Sequence, residues 1–229
     1  MKTVFITGAS GNLGAATVEK FLQEGYKVIA TVTPGRTLGY DAKGEIEIYE
    51  ADLTDEKSVD NVLVKVVTKH KNIDAALLLV GGYASGGLTE TDGTLLRKMI
   101  SLNFETAYFV CRPLFQQMMQ QENGGRIIMV GARPALRAKE ANRSLGYALS
   151  KSLIFKLADA LNVAGSDNNV TASVIVPSTI DTPSNREAMP KADFTKWVAP
   201  EEIAAAMTHL CSSATKSWRD STLKIYGRS

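Results

Sequence analysis

Much that would mark a specialised chain is scarce in this sequence. It has only two cysteines, Cys111 and Cys211, both in apolar helix-like stretches, so buried free thiols rather than a disulfide framework are expected. No window approaches the ~20 apolar residues a membrane-spanning helix needs. No cleavable leader pattern follows Met1-Lys2, which makes the cytoplasm the expected compartment. Charge of one sign is equally scarce: 26 basic against 24 acidic residues, with no basic run, leaves neither a nucleic acid nor an anionic membrane as an expected partner. No metal site is expected either. What the chain does have is 45% hydrophobic residues over 229 positions, enough to bury a core without staples.

Short apolar runs alternate with longer amphipathic ones. The candidate strands are Thr3–Thr7, Lys27–Thr31, Ile46–Tyr49, Ala75–Val80, Arg126–Val130, Thr171–Val176 and Thr222–Tyr226. Most are unbroken Val/Ile/Leu/Ala runs, as in strands covered on both faces. Between them, Asp55–Lys69 repeats Val59, Val62, Leu63, Val66 and Val67 at helical spacing behind Thr54 as an N-cap. Leu13–Glu24 and Leu145–Val163 are further helices, stopping at or near Gly25 and Gly165. Strand, helix, strand in repetition predicts an α/β fold: one Rossmann-like, doubly wound parallel sheet of about seven strands with helices on both faces. No linker divides the chain, so a single domain is expected over 1–229, with a cofactor half at 1–80 and a catalytic half at 81–229. The proline-punctuated stretch Pro177–Pro200 lacks periodicity and predicts an irregular functional loop.

Directly after the first strand comes Thr7-Gly8-Ala9-Ser10-Gly11-Asn12-Leu13-Gly14, opening the first helix. Gly8 permits a tight turn, and Gly11 and Gly14 allow close approach. The free N–H groups at the helix start can then hold a pyrophosphate. This Gly-x-x-x-Gly-x-Gly spacing, led by Thr-Gly-Ala-Ser-Gly, resembles the short-chain dehydrogenase/reductase family. The resemblance implies a nicotinamide cofactor and gives Asp52-Leu53 the adenine, although Asp52 also reads as a turn residue ahead of a helix. The second strand ends Thr31-Val32-Thr33-Pro34-Gly35-Arg36, with no acid to accept the ribose hydroxyls and one nearby cation. NADP(H) is therefore favoured over NAD(H), with Thr33 and Arg36 as cofactor-binding residues and Arg36 the cation that can meet a 2′-phosphate, being otherwise a solvated loop residue.

Tyr147 and Lys151, four positions apart, share one face of a helix. An ammonium beside a phenol favours the phenolate, which makes a usable acid/base near neutrality. In the family this Tyr exchanges the proton while the Lys also holds the nicotinamide ribose, and a helix asparagine, matched here by Asn103, supports a water and the Lys. Two segments depart from the pattern. The fifth strand ends Val130-Gly131-Ala132-Arg133 without the usual serine, and Ser144, three residues before Tyr147, reads as a helix cap. The fourth strand runs into Leu79-Val80-Gly81-Gly82-Tyr83 rather than Asn-Asn-Ala-Gly.

Both departures resemble the dihydropteridine reductase branch. So do Gly131–Leu136, Gly81-Gly82-Tyr83-Ala84 and the stretch Asp181–Phe194 with Trp197. The resemblance implies Gly81, Gly82, Pro177, Ile180 and Thr182 along the cofactor. Tyr83, Ala132, Asn185 and Met189 would meet the substrate under a closing loop within 177–199. The expected function is an NAD(P)H-dependent oxidoreductase that reduces a flat quinonoid small molecule, such as a quinonoid dihydropterin, as a homodimer or homotetramer. The alternatives are a general short-chain carbonyl reductase or alcohol dehydrogenase, and a non-catalytic NAD(P)-sensing protein.

Overall fold

The computed structural model describes residues 1–228. Its frame is one seven-stranded sheet in the order β3-β2-β1-β4-β5-β6-β7, and every neighbouring pair is parallel. The strands are β1 (Thr3–Ile6), β2 (Lys27–Val32), β3 (Ile46–Glu50), β4 (Ala75–Leu78), β5 (Gly125–Val130), β6 (Val170–Pro177) and β7 (Ser221–Ile225). All seven expected strands are present, with ends displaced by one or two residues. The central strands are buried on both faces, whereas edge strands β3 and β7 are only partly covered and alternate with exposed positions.

Helices α1 (Asn12–Gln23), α2 (Glu56–His70), α3 (Gly93–Ile100), α4 (Thr106–Met118), α5 (Ala138–Ala141), α6 (Leu145–Ala164), α7 (Pro183–Ala188) and α8 (Pro200–Leu210) complete the chain. On one face of the sheet, α1 and α8 bring Val18, Phe21, Ile203 and Met207 against Val4, Ile6, Val28 and Ile175. On the other, α2, α4 and α6 bring Val59, Leu63, Val110, Leu114 and Ile154 against Phe5, Ile29, Ala76 and Met129. Each face thus has its own dry layer, the arrangement of a doubly wound sheet.

Four local expectations need correction. Asp55, not Thr54, caps α2 by accepting from the Lys57 N–H; Thr54 turns back and donates its N–H and hydroxyl to Asp52 Oδ1 at 2.9 and 2.7 Å. Both residues are competent caps, and the Asp52 turn takes Thr54 out of contention. Ser144 stands at the start of α6, but its hydroxyl makes no capping bond. The 177–200 stretch is not wholly irregular, because Pro183 at the first helical position and Thr182 as N-cap start α7. Asn103 is not in a plain α-helix: Ser101–Glu105 form a π-helical turn joining α3 to α4.

Parallel strands send all their C-terminal ends to one edge. β1 lies between β2 and β4, so the chain crosses over there and leaves the crevice where such sheets bind ligands.

Candidate active site

The turn after β1 is shaped by sterics. Gly8 has φ +67°, and a Cβ on Gly14 would lie 2.1 Å from the Gly8 carbonyl oxygen, so only glycine fits there. Gly11, between Ser10 and Asn12-Leu13, is the N-cap of α1 and supplies no side chain, so no side-chain cap occupies the first N–H groups of the helix. That is an anion cradle. Tyr40, from the helix-free connection between β2 and β3, donates its hydroxyl to the Ala9 carbonyl at 3.1 Å and braces the turn. Burial pushes the Tyr40 phenol up to about 12, so the donor stays protonated.

Beside the cradle a cavity of about 210 Å³ is lined by Gly8, Thr31, Thr33, Asp52, Leu53 and Leu102 among others. Its size and position suit the adenosine end of a dinucleotide. The Thr54 bonds hold the Asp52 carboxyl below the usual carboxylate range, so Asp52 is both a turn residue and a wall of this cavity. Thr33 lines the cavity; Arg36 is exposed outside the lining, on a turn closed by its own N–H donating to the Thr33 carbonyl at 2.9 Å. Pro34 and Gly35, with φ +76°, occupy the middle of that turn.

The reacting end is built around Asn103. Its Oδ1 accepts from the Gly82 N–H at 2.9 Å, and its Nδ2 donates to the Gly82 carbonyl at 3.0 Å and to Ser150 Oγ at 3.2 Å. Ser150 in turn donates to the Tyr147 carbonyl at 2.8 Å. One amide therefore locks the turn after β4 to the helix that carries Tyr147 and Lys151. Lys151 is buried, with Nζ donating to the Val130 carbonyl at 2.8 Å. Burial lowers the Lys151 ammonium to about 8 and raises the Tyr147 phenol to about 12, with Tyr83 adding to the latter. In the free chain burial dominates both groups, and the expected lowering of the phenol by the ammonium is not seen.

Tyr147 opens onto a second cavity, of about 350 Å³, which also contains Tyr83, Ala132, Ile180, Asn185 and Met189. The four residues expected to meet the substrate are thus gathered around one phenol. Pro177 and Ile180 line the cavity as well; Thr182 sits behind it as the α7 cap, accepting from the Asn185 N–H. The Tyr83 ring meets the Tyr147 ring edge-on, with centroids 5.2 Å apart, and 65% of Tyr83 is exposed. Asn185 Nδ2 donates to the Ile180 carbonyl at 2.8 Å, which pins the start of the loop, and Ile180 pairs with Val198 at its end. Sequence reasoning missed Arg133 and Glu140, an ion pair at 2.8 Å in the wall of this cavity. It also missed Ser150 and Tyr40, which carry no motif.

The parallel sheet, the glycine-rich turn after β1 and the crevice beside it are those of a dinucleotide-binding α/β protein. Residues 2–193 match the family model described as short chain dehydrogenase, and the chain belongs to that family. It is 24% identical to an acetoacetyl-CoA reductase of Acinetobacter sp. (strain RA3849), covering 99% of this chain and 96% of that one. It is 26% identical to a dihydropteridine reductase of Dictyostelium discoideum, covering 89% and 84%. The solved structure of ElxO with NADP bound superposes with a TM-score of 0.90 at 23% identity, covering 99% of this chain and 97% of ElxO, a likeness of fold. The protein is an oxidoreductase of this family, working with a nicotinamide cofactor. Among the described residues no helix is long and apolar enough to cross a membrane, and no cluster of side chains could hold a metal ion.

Proposed function

We propose that this protein reduces a flat quinonoid compound, of the quinonoid dihydropterin class, at the expense of NADPH, with Tyr147 as proton donor. The carrying observation is the cavity in which Tyr147, Tyr83 and Ala132 meet. A ketone that develops an alkoxide gains from a second donor, whose loss typically costs ~10²–10³ in rate. The Ala132 side chain has no donor to give. A quinonoid ring spreads incoming charge over several heteroatoms and depends less on one hydrogen bond. The Tyr83 ring offers a face on which such a heterocycle stacks.

When bound, the nicotinamide supplies the hydride. Gly8, Gly11 and Gly14 form the cradle for its pyrophosphate, and Lys151 keeps two of its three N–H groups for the ribose and the phenol after donating to Val130. Asn103 fixes Gly82, and with it the turn after β4, near Tyr147 and Lys151. NADPH is the favoured form because β2 ends without an acid and Arg36 stands on the adjoining turn. Residues 1–80 then serve mainly the cofactor and 81–229 the substrate. Exposed Tyr108 on α4, with Leu149 and Leu153 on α6, supports assembly as a homodimer or homotetramer through those helices.

The experiment is turnover with NADPH against quinonoid dihydropterins, quinones and aliphatic ketones. Reduction of the quinonoid compounds well ahead of ketones is expected, with Tyr83→Ala raising KM. Efficient ketone reduction without pterin or quinone activity would make the protein a general carbonyl reductase instead. Binding without any turnover would make it a sensor.

A further inference from the structure

Thr31 sits near the end of β2 with 1% of its surface exposed. Among the described residues its Oγ1 is the single buried side-chain oxygen or nitrogen without a hydrogen-bond partner. A buried hydroxyl left unpaired is costly, whereas valine has the same shape and carries no such cost. Strand preference does not account for the residue, since threonine and valine both suit strands. The neighbours explain why nothing in the chain answers it. Ile29, two positions earlier on the same side of the strand, packs into the dry layer beneath α2 and α4. Thr31 is the next position on that side, and it lines the cavity with Leu53, Val80, Leu102 and Thr106. Thr106, also in the cavity lining, is already satisfied by donating to the Leu102 carbonyl at 2.8 Å.

We propose that Thr31 Oγ1 is a recognition residue for the purine edge of the cofactor, pairing with a ring nitrogen or the exocyclic amine of adenine. A hydroxyl can donate to the former or accept from the latter. The proposal rests on the nicotinamide-cofactor reading of this crevice. It adds a contact from the floor of the cavity to the wall formed by Asp52 and Leu53. It also accounts for a polar side chain in a position where the fold itself favours an apolar one.

The test separates the adenosine end from the nicotinamide end. Titration of the whole protein with ADP-ribose and with reduced nicotinamide mononucleotide is run on the wild type, Thr31→Val and Thr31→Ser, with melting temperatures of the unliganded proteins. Thr31→Val is expected to weaken ADP-ribose about five- to tenfold, leave the mononucleotide unchanged, and melt at or above the wild type. Thr31→Ser, which keeps the hydroxyl, should bind ADP-ribose within about twofold of the wild type. Wild-type affinity for ADP-ribose in Thr31→Val overturns the proposal. So does a melting temperature below the wild type, which would mean that the hydroxyl is bonded within the fold. A wild type that binds neither ligand overturns the cofactor reading and this proposal with it.

Discussion

Lys151 Nζ donates to the Val130 carbonyl at 2.8 Å, so the ammonium is anchored to the end of β5 from within the core. Burial lowers it to about 8, against an ordinary value of 10.5. Below pH 8 the folded chain must bury a charge that the unfolded chain leaves in water. Between pH 8 and 10.5 the unfolded chain binds more protons, so this group's penalty fades as pH rises through that window. Lys151→Met should therefore be more stable than the unliganded wild type at pH 7, by about 1–3 kcal/mol, and melt higher, since one pKa unit is worth ~1.4 kcal/mol and a hydrogen bond is lost. The gap should close towards pH 10.5, while activity is lost at every pH. Melting curves across pH 6–10 check it, and a variant that melts lower throughout would show that the lysine stabilises the fold.

Gly81 is the spacer of the reacting end. A Cβ there would lie 2.7 Å from Asn103 Oδ1 and 3.0 Å from Lys151 Nζ, and neither partner has room to retreat, because Asn103 is bonded on both sides and Lys151 is held by Val130. Gly81→Ala should cost about 1–3 kcal/mol, as overpacking of a filled site does. If Asn103 and Lys151 have the roles proposed for them, it should also lower kcat more than it raises KM, because the displaced groups would serve the reacting atoms rather than the substrate's binding face. Steady-state kinetics beside a melting curve test both parts.

Tyr147→Phe removes the proposed acid and leaves the ring that packs edge-on against Tyr83. Folding and cofactor affinity should survive, while reduction slows by ~10²–10⁴, the usual worth of general acid catalysis. Near-normal kcat in this variant would move the proton donor elsewhere.

The fold was legible because the central strands are covered on both faces and so read as unbroken apolar runs, Val28–Ala30 and Ile127–Val130 among them. Tyr147 and Lys151 were legible because a helix turns four-residue spacing into a shared face. The net around Asn103 was not. A π turn has no sequence signature, and the partners Gly82 and Ser150 come from segments 21 and 47 residues away. Thr31 looked like any strand residue, since an unpaired hydroxyl becomes visible only when its surroundings are known. Thr54 reads as the cap of α2 in the sequence, but its bonds to Asp52 leave the cap to Asp55, an equally competent residue type.

The β2–β3 turn carries the remaining prediction. Its Gly35 N–H donates to the Glu50 carboxylate at 3.0 Å, so an acid reaches this turn from the end of β3 although β2 itself ends without one. On the proposed NADPH reading, Glu50 and Arg36 should pull in opposite directions on a 2′-phosphate, since Arg36 can offer a charge-assisted bond and the Glu50 carboxylate would repel the phosphate. Arg36→Ala should cut the NADPH advantage by about 1–3 kcal/mol, the range for a hydrogen bond to a charged group. Glu50→Gln should raise the ratio of kcat/KM for NADPH over NADH, and do so less at high salt, where both charges are screened because both side chains are exposed. The ratio measured for the wild type and both variants at two ionic strengths decides the matter. A wild-type preference for NADH of tenfold or more would mean that Glu50, and not Arg36, governs the site.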